Sequence, residues 1–383
     1  MDQVIAFLLE KSTKVCTNKV FIKVYEVVLH QCDNLDAGAK LYTYFQAIMK
    51  GWLADHALPS VKEKQAEGFL LQEWQLQWDK YNTLCKLMER LFAYLNRYYL
   101  KNQGLKTLGQ ACMDIWTGKM FEAIKQPLIA KVLETFHKDR NGDIIDRGLI
   151  TKVVNSYVLM GLANAEPARD ANKFFWTGSK NLTFYEHEFE QHFLTASREE
   201  YEIFSKKWIA SCTAPSYLKL ADQAFDHEEE YCKKLLQAET RPKLMKRVEK
   251  ELISNRNKEI LAKETGCKYM IENSRFEELR LLYKCFSRED NNLGEVIHCL
   301  SEYIEDFGGQ IVSDENLVKN PIEFSKKLLQ FKKEIDGLIT DSFNNNLRFE
   351  KGRDNSFQNF MNTNQQTPAF LANFTDNELK SGI

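Results

Sequence analysis

The feature that most restricts the fold of this chain is a helical spacing of apolar residues. Between residues 81 and 95 the apolar side chains fall on one face of a 3.6-residue repeat. They are Tyr81, Leu84, Cys85, Met88, Leu91, Phe92 and Leu95. The same spacing recurs in Leu279, Leu282, Tyr283 and Phe286. Alternation with a period of two, which is typical of strands, is nearly absent. The sequence therefore predicts an all-α protein.

Breaks between the helices are short. The chain has 383 residues, enough for two or three domains, but no stretch rich in Pro, Ser or Gly separates them. This favours one elongated array of stacked helices, in which each unit buries its apolar face on its neighbours. Six prolines are expected at breaks or in first helical turns, whereas Pro127 is compatible with a kink inside a helix. The six are Pro59, Pro167, Pro215, Pro242, Pro321 and Pro368.

Five short motifs predict helix starts. In each, a hydroxyl residue is followed three positions later by glutamate, as in a capping box. The pairs are Ser60 and Glu63, Thr183 and Glu186, Ser197 and Glu200, Ser274 and Glu277, and Thr375 and Glu378.

Charge and cysteine content argue against several classes of protein. Lys and Arg total 52 against 54 Asp and Glu, so no net field favours nucleic acid or an anionic membrane.

The nine cysteines contain no CxxC pair and are expected as free thiols in a reducing compartment. The first residues lack the features of a signal peptide, and no apolar run approaches the ~20 residues that span a bilayer. We expect a protein of the cytoplasm or nucleus.

No pattern of catalytic or metal-binding residues stands out. His187 and His192 are five residues apart, whereas the zinc-binding HExxH motif needs a spacing of four on one helix face. The turn at 139–143 has three oxygen ligands at alternate positions but lacks the glycine and glutamate of a calcium loop. Nothing in the spacing sets a base beside a nucleophile. The sequence predicts neither an enzyme, nor a metal site, nor a cofactor.

The segment from Val20 to His30 is unusually apolar for a helix near a chain terminus. At 100° per residue its apolar side chains cover roughly 220°, against the ~100° stripe of a helix packed on one side. Only Lys23, Glu26 and His30 lie on the remaining face. Two interpretations stay open: the helix is buried in the core, or part of it contacts a partner protein.

Several short strings in the chain resemble the N-terminal stalk of the cullins, most closely cullin-3. In order, they are 251–254 (ELIS), 283–288 (YKCFSR), 319–321 (KNP), 342–346 (SFNNN) and 367–371 (TPAFL). Val28–His30 and Lys40–Thr43 also match cullin-3, whereas Val154–Tyr157 is more similar to cullin-1.

The resemblance implies an elongated stalk of three five-helix cullin repeats, placed at 1–130, 131–250 and 251–383. A cullin is a non-catalytic scaffold of a cullin-RING E3 ubiquitin ligase. Its C-terminal region binds a RING-box subunit, and the full-length protein also meets a cullin-associated exchange factor. This chain ends at Ile383, about where the stalk ends, and begins without the extra arm of cullin-3. By this interpretation it binds an adaptor but does not recruit the ubiquitin-carrying enzyme.

The resemblance also implies a docking surface for a BTB-domain substrate adaptor on the first repeat. Its second helix and its fifth helix supply the contact residues. Carried over by position, these are Thr17, Phe21, Val24, Tyr25, Val28, Leu105 and Leu108. Gly109 stands where cullin-3 has an aromatic contact, which weakens the correspondence on the fifth helix.

Two other functions remain open at this point. A cullin-1-like stalk would bind an Skp-type adaptor that carries an F-box receptor. A helical-rod tethering subunit would have no connection with ubiquitin.

Overall fold

The computed structural model describes Glu26, residues 35–161 and residues 181–381. All regular structure in these ranges is helical and none is β-strand, which confirms the all-α prediction. No helix within them is both long and apolar enough to cross a lipid bilayer. The chain divides into two compact units. Unit 1 holds the described residues of Met1–Ala196 with Cys232–Thr240, and unit 2 those of Ser197–Tyr231 with Arg241–Ile383.

The α-helices of the described ranges follow one another with short connections. The first nine are α1 (Leu35–Trp52), α2 (Leu58–Ala66), α3 (Leu70–Leu91), α4 (Leu108–Trp116), α5 (Glu122–Arg140), α6 (Arg147–Gly161), α7 (Thr183–Tyr185), α8 (Gln191–Ser211) and α9 (Ala214–Lys234). The next nine are α10 (Thr240–Glu249), α11 (Asn257–Leu261), α12 (Cys267–Glu272), α13 (Phe276–Phe286), α14 (Asp290–Ser313), α15 (Glu315–Val318), α16 (Pro321–Phe343), α17 (Leu347–Met361) and α18 (Thr367–Ser381). Wider π-helical turns occupy Leu53–Ala57, Leu95–Leu100, Thr117–Phe121, Glu186–Glu190 and Lys250–Ser254.

The core of unit 1 is a cluster of large rings. Every apolar residue predicted on the face from Tyr81 to Leu95 is buried, which confirms the periodicity. Trp116 lies at the centre of the cluster, with ring centroids 5.1 Å from both Trp74 and Trp78 and 4.8 Å from Tyr81. Such pairs stabilise a fold beyond the area that they bury, by about 0.5–1.5 kcal/mol each. The predicted helical face therefore packs against the aromatic core of unit 1.

The core of unit 2 depends on the close approach of α14 and α17. A Cβ atom on Gly308 would overlap the ring of Phe360, and one on Gly352 would lie 2.8 Å from Ile297. Asn359 Nδ2 also donates to Glu305 at 2.9 Å. Both helices therefore run in the same direction, and glycine lets their backbones come close because it has no side chain.

The five predicted capping boxes are wrong. Ser60, Ser197 and Thr375 lie inside α2, α8 and α18. Helices do begin at or near the other two residues, since Thr183 is the first residue of α7 and Ser274 lies two residues before α13, but neither helix has a side-chain capping bond at its N-cap. The Ser60 hydroxyl donates instead to Glu73 at 2.6 Å, and that of Thr375 to the Leu371 carbonyl at 2.9 Å. Side-chain caps are made by Thr107, Asp314, Asn320 and Asn346, and also by Asp146 before α6 and Thr213 before α9. A hydroxyl and a glutamate three residues apart also fit a helix interior, so the motif alone does not locate a helix start.

The prolines follow the prediction closely. Pro215, Pro242, Pro321 and Pro368 lie among the first three residues of α9, α10, α16 and α18, where a missing N–H is tolerated. Pro59 is the second residue of α2, but no break precedes it, because the π-helical turn Leu53–Ala57 joins α1 to α2. Pro127 lies inside α5, and Pro167 is outside the described residues. The division into three repeats stays a prediction.

Candidate functional site

Most of the predicted docking residues lie where the structure gives no description. Thr17, Phe21, Val24, Tyr25 and Val28 are outside the described residues, so their roles stay predictions. Leu105 and Leu108, on the other hand, can be placed in unit 1.

Leu105 lies in a tight connection between two helical segments. Gly104 has a φ of +63°, in the left-handed region that glycine adopts easily. Its N–H donates to the Lys101 carbonyl at 3.2 Å, and the Leu105 N–H donates to that of Leu100 at 2.9 Å. These two bonds form a Schellman motif, which ends the preceding helix. Leu105, 43% exposed, follows directly on the surface.

The next helix begins two residues later with a capping box. The Thr107 hydroxyl accepts from the Gln110 N–H at 3.3 Å, and the Gln110 side chain accepts from the Thr107 N–H at 3.0 Å. Asn96 Oδ1 accepts from the Leu108 N–H at 3.0 Å, so a neighbouring segment also satisfies an amide of the first turn. Backbone hydrogen bonds before Leu105 and side-chain caps after it thus fix the position of its backbone.

Leu108 differs from Leu105 because it belongs to the core. Its side chain is 0% exposed. Eight of the nine residues of α4 are buried, including Gly109, and Asp114 is the exception. Leu108 therefore offers no surface to a partner, whereas Leu105 presents apolar surface to the solvent.

The polar residues beside Leu105 form a small surface with α1. Tyr42 on α1 donates its hydroxyl to the Lys106 carbonyl at 3.4 Å, and Lys106 Nζ lies 2.6 Å from Asp114 Oδ2. Gln46 lies one turn after Tyr42 on α1 and is part-buried like it. We call Tyr42, Gln46, Leu105, Lys106 and Asp114 the Tyr42 surface.

The electrostatics of the Tyr42 surface suit non-covalent recognition. The pKa of the Tyr42 phenol is raised above its ordinary value. Burial is the main cause and the nearby Asp114 carboxylate adds to it, whereas the Gln46 side chain lowers the pKa in part. The phenol therefore remains a neutral hydrogen-bonding group at physiological pH. The Lys106–Asp114 pair is about two-fifths exposed, so it orients side chains and adds less than about 1 kcal/mol of stability.

Nothing at this surface indicates chemistry. It offers an apolar side chain, a phenol, an amide and one ion pair, all within a single patch. Across the described ranges no three His, Cys, Asp or Glu side chains are grouped as a metal site would require. The arrangement is suited to binding another protein.

The sequence pattern singled out Leu105, whose role stays a prediction, but did not single out Tyr42 or Lys106 beside it. A signal for Tyr42 was present, since Lys40–Thr43 resembles a family string, yet that string by itself assigns no contact. Nothing in the sequence marks Lys106, because its carbonyl bond to Tyr42 spans 64 residues.

Comparison with known proteins gives consistent matches over the length of the chain. Residues 1–383 match the family described as Cullin, the Cullin alpha solenoid domain. The chain is 28% identical over 368 residues to Cullin-3A of Arabidopsis thaliana, covering 95% of this chain and 47% of that protein. It is 27% identical over 327 residues to Cullin-3 of Dictyostelium discoideum, covering 85% and 40%. Cullin-1 of the same organism is 27% identical over 360 residues, covering 90% and 45%. The chain spans about half the length of the curated relatives that it matches.

Proposed function

The chain belongs to the cullin family, and on that basis we propose that it is the adaptor-binding part of a scaffold in a cullin-RING E3 ubiquitin ligase. The observation that carries this proposal is the match to the cullin α-solenoid domain over residues 1–383. The scaffold holds a substrate adaptor at one end and takes no part in the chemistry of transfer.

The adaptor docks on the first repeat. Phe21 and Tyr25 act as aromatic anchors, Thr17 takes the place of a third contact residue, Val24 and Val28 add further contacts, and Leu105 adds an apolar one. Large apolar side chains of this kind dominate binding energy once a partner excludes water. The exposure of Leu105 and its fixed backbone support this role, because little conformational freedom is lost on binding. Leu108, which is 0% exposed, lies in the core of unit 1 and makes no direct contact with the adaptor in this proposal.

The Tyr42 surface supplies the polar rim of this contact. The half-buried phenol and the ion pair of Lys106 and Asp114 give hydrogen-bonding groups beside an apolar centre. Interfaces commonly combine these two features. Charged groups at such a rim affect partner choice and association rate more than affinity.

We propose a BTB-domain adaptor as the partner. The similarity to Cullin-3A of Arabidopsis thaliana, at 28% identity over 95% of this chain, supports this choice. The similarity to Cullin-1 of Dictyostelium discoideum, at 27% over 90%, favours an Skp-type adaptor with an F-box receptor as the second candidate. A tethering subunit unrelated to ubiquitin is the remaining alternative.

The proposed mechanism is geometric. A scaffold that holds the adaptor and a RING-box subunit in one complex raises the effective concentration of substrate lysines near the transferred ubiquitin. Partners of the remainder of a full-length protein would include that RING-box subunit and a cullin-associated exchange factor. The seven described cysteines are free thiols, which is compatible with the cytoplasm or nucleus, where we place the protein.

Direct binding tests the proposal. The purified chain is titrated with a BTB-domain adaptor and, separately, with an Skp-type adaptor, and each Kd is measured by calorimetry. We expect binding to the BTB adaptor. The double variant Phe21→Ala with Tyr25→Ala removes both anchors and should weaken it by two orders of magnitude or more, about 3 kcal/mol.

Leu105→Ala tests the described part of the surface. We expect about tenfold weaker binding, or roughly 1.4 kcal/mol. Leu329→Ala is the matched control, since Leu329 of α16 has a similar exposure (46%) but belongs to unit 2. If the parent chain and the Phe21→Ala, Tyr25→Ala double variant bind the BTB-domain adaptor with equal Kd, the assignment of these residues to the docking surface is refuted. Binding of the Skp-type adaptor alone would favour the second candidate, and binding of neither would favour the tethering subunit.

A further inference from the structure

One face of α8, within unit 2, carries an exposed isoleucine between two pairs of charged residues. Ile203, at the centre of this face, is 64% exposed. Glu199, Lys206 and Lys207 are exposed as well, and Glu200 is half-buried. We call these five residues the Ile203 face.

The opposite side of α8 is packed in the core of unit 2, which fixes the rotation of the helix. Tyr201 is buried and donates its hydroxyl to the buried Glu228 carboxylate at 2.7 Å. Ser205 is also buried. Each of these residues lies two positions from Ile203, which is about 200° around the helix. The Ile203 face is therefore held towards the solvent.

The charges of the Ile203 face are arranged antisymmetrically about Ile203. Glutamates stand three and four positions before it, at 200 and 199, and lysines stand three and four positions after it, at 206 and 207. Spacings of three and four place side chains on the same helix face. If the face is turned end for end about Ile203, each lysine takes the place of a glutamate and each glutamate that of a lysine.

This arrangement makes the face complementary to itself in one orientation. When two such helices meet antiparallel, the glutamates of one helix lie beside the lysines of the other at both ends of the contact. When they meet parallel and in register, like charges lie together, which opposes association. Charge complementarity therefore identifies a second copy of the same face as its partner.

We propose that the Ile203 face is a docking site for a second copy of this chain, with the two α8 helices antiparallel. A two-fold axis passes between the Ile203 side chains, which pack against each other and exclude water. The same five residues of each copy form the interface, as in the isologous contacts of most homodimers. This inference does not depend on adaptor binding.

The ion pairs within one chain leave these charges available for a partner. Lys206 Nζ lies 2.6 Å from Glu202, and Glu199 lies 3.5 Å from Arg198. Both pairs are exposed, and such pairs contribute little stability, so they exchange readily for new partners. Lys207 has no ion pair within the part of the chain that the structure describes.

The size of the face sets the strength of the contact. One helix face buries less than the ~1,600 Å² of a standard interface, so we expect a weak dimer with a Kd of about 10–100 μM. Because charged side chains surround the single apolar contact, added salt should screen their attraction and raise the Kd.

Sedimentation equilibrium of the full chain tests the proposal with two charge-reversal variants. The lysine variant carries Glu199→Lys and Glu200→Lys, and the glutamate variant carries Lys206→Glu and Lys207→Glu. The parent chain should change from monomer to dimer as its concentration passes the expected Kd. Each variant alone should stay monomeric, because four like charges then line its face.

A mixture of the two variants gives the sharpest result. In an antiparallel pair, every lysine of the lysine variant meets a glutamate of the glutamate variant, so the equimolar mixture should form a dimer with a Kd within about threefold of that of the parent. Since neither variant dimerises alone, any dimer in the mixture contains one copy of each.

Ile203→Asp tests the apolar centre, and Ile322→Asp is its matched control. Ile322 of α16 is also an exposed isoleucine of unit 2, with 54% exposure. Ile203→Asp should raise the dimer Kd at least about tenfold, whereas Ile322→Asp should leave it unchanged. Circular dichroism checks that each variant is folded, and Ile203→Ala takes the place of Ile203→Asp if that variant does not fold.

Three results would overturn the proposal. One is a parent chain that stays monomeric well above the expected Kd, which would leave this face to a different protein or to none. Another is dimerisation of either charge-reversal variant with the parent Kd. The third is a mixture of the two variants that remains monomeric under conditions in which the parent chain dimerises.

Discussion

The cores of the two units use different means to fill space. In unit 1, the indoles of Trp74, Trp78 and Trp116 pack against one another and fill the space between α3 and α4 with large rings. In unit 2, Gly308 and Gly352 remove side chains where α14 meets α17, and Phe360 occupies the space that Gly308 leaves.

This difference predicts opposite responses to a change in side-chain size. A core made of large rings loses most when a ring is removed, since the cavity left behind collapses only in part. A helix contact made through glycine loses most when a single methyl group is added, since close-packed backbones have no room to move apart. Helical periodicity, which both units share, does not distinguish these cases.

The largest effect should come from unit 1. Trp116→Ala removes the ring at the centre of the cluster, and we expect it to lower the free energy of unfolding by about 3–5 kcal/mol in urea titration. Trp116→Phe is the control and should lose less, because most ring contacts remain. Within the described residues the indole Nε1 has no hydrogen-bond partner, so this control also removes an unpaired donor. Equal losses in the two variants would contradict a role for ring volume.

A smaller effect is expected from the glycine contact in unit 2. Gly308→Ala places a methyl group against the Phe360 ring and should destabilise by about 1–3 kcal/mol. Gly309→Ala is a matched control on the same helix, with nothing within 4 Å of its added Cβ, and should be neutral or stabilise by up to about 1 kcal/mol. Phe360→Leu combined with Gly308→Ala should recover part of the loss. Similar destabilisation by both alanines would refute the close approach.

A charged cluster in unit 2 gives a pH-dependent prediction. Arg288 lies 4.1 Å from the Phe225 ring centroid and 3.5 Å from Glu249. Burial raises the pKa of Glu249 above its ordinary 4.5, and Arg288 lowers it only in part. The folded state thus keeps a proton that the unfolded chain has lost, so the free energy of unfolding contributed by Glu249 falls as pH rises from 4.5 through the folded-state pKa.

Glu249→Gln removes this titration. Relative to the parent protein, the variant should gain stability between pH 4.5 and pH 7, by no more than about 1 kcal/mol. Urea titrations at both pH values measure the change. If the free energies of unfolding of the Glu249→Gln variant and the parent protein differ by the same amount at pH 4.5 and pH 7, the effect of burial on the pKa of Glu249 is contradicted.

The smallest effect should come from exposed ion pairs, which are alike in the two units. Lys40 lies 2.6 Å from Asp36 in unit 1, and Lys206 lies 2.6 Å from Glu202 in unit 2. Both pairs join adjacent turns on exposed helix faces, so Lys40→Ala and Lys206→Ala should each change stability by less than about 0.5 kcal/mol. A loss above 1 kcal/mol in either variant would show that surface charge, and not the core, distinguishes that unit.

The sequence predicted the fold class better than the ends of the helices. Periodicity correctly identified the buried face from Tyr81 to Leu95, because burial of one helix face is encoded locally in the residue spacing. Prolines marked first turns for the same local reason. The capping boxes failed because a motif of four residues does not show whether the preceding residue is helical. The caps at Asn320 and Asn346 were missed because only hydroxyl residues were considered.

The candidate site was only partly predictable. Position in the family pattern indicated both Leu105 and Leu108, yet three residues separate an exposed side chain from one at 0% exposure. The turn at Gly104 and the capping box at Thr107 produce this difference. The Tyr42 surface also needs a hydrogen bond between Tyr42 and Lys106, which are 64 residues apart in the sequence.

By itself, the sequence determined that this protein is all-helical, which faces of its helices are apolar, and that it resembles the cullins. These properties follow from spacing and side-chain type, which are local. The tertiary structure alone decided which apolar residue stays on the surface and where glycine replaces a larger side chain at a helix contact. Each of these features depends on which segments pack together and exclude water although they are distant in the sequence. A local residue pattern contains no information about that packing.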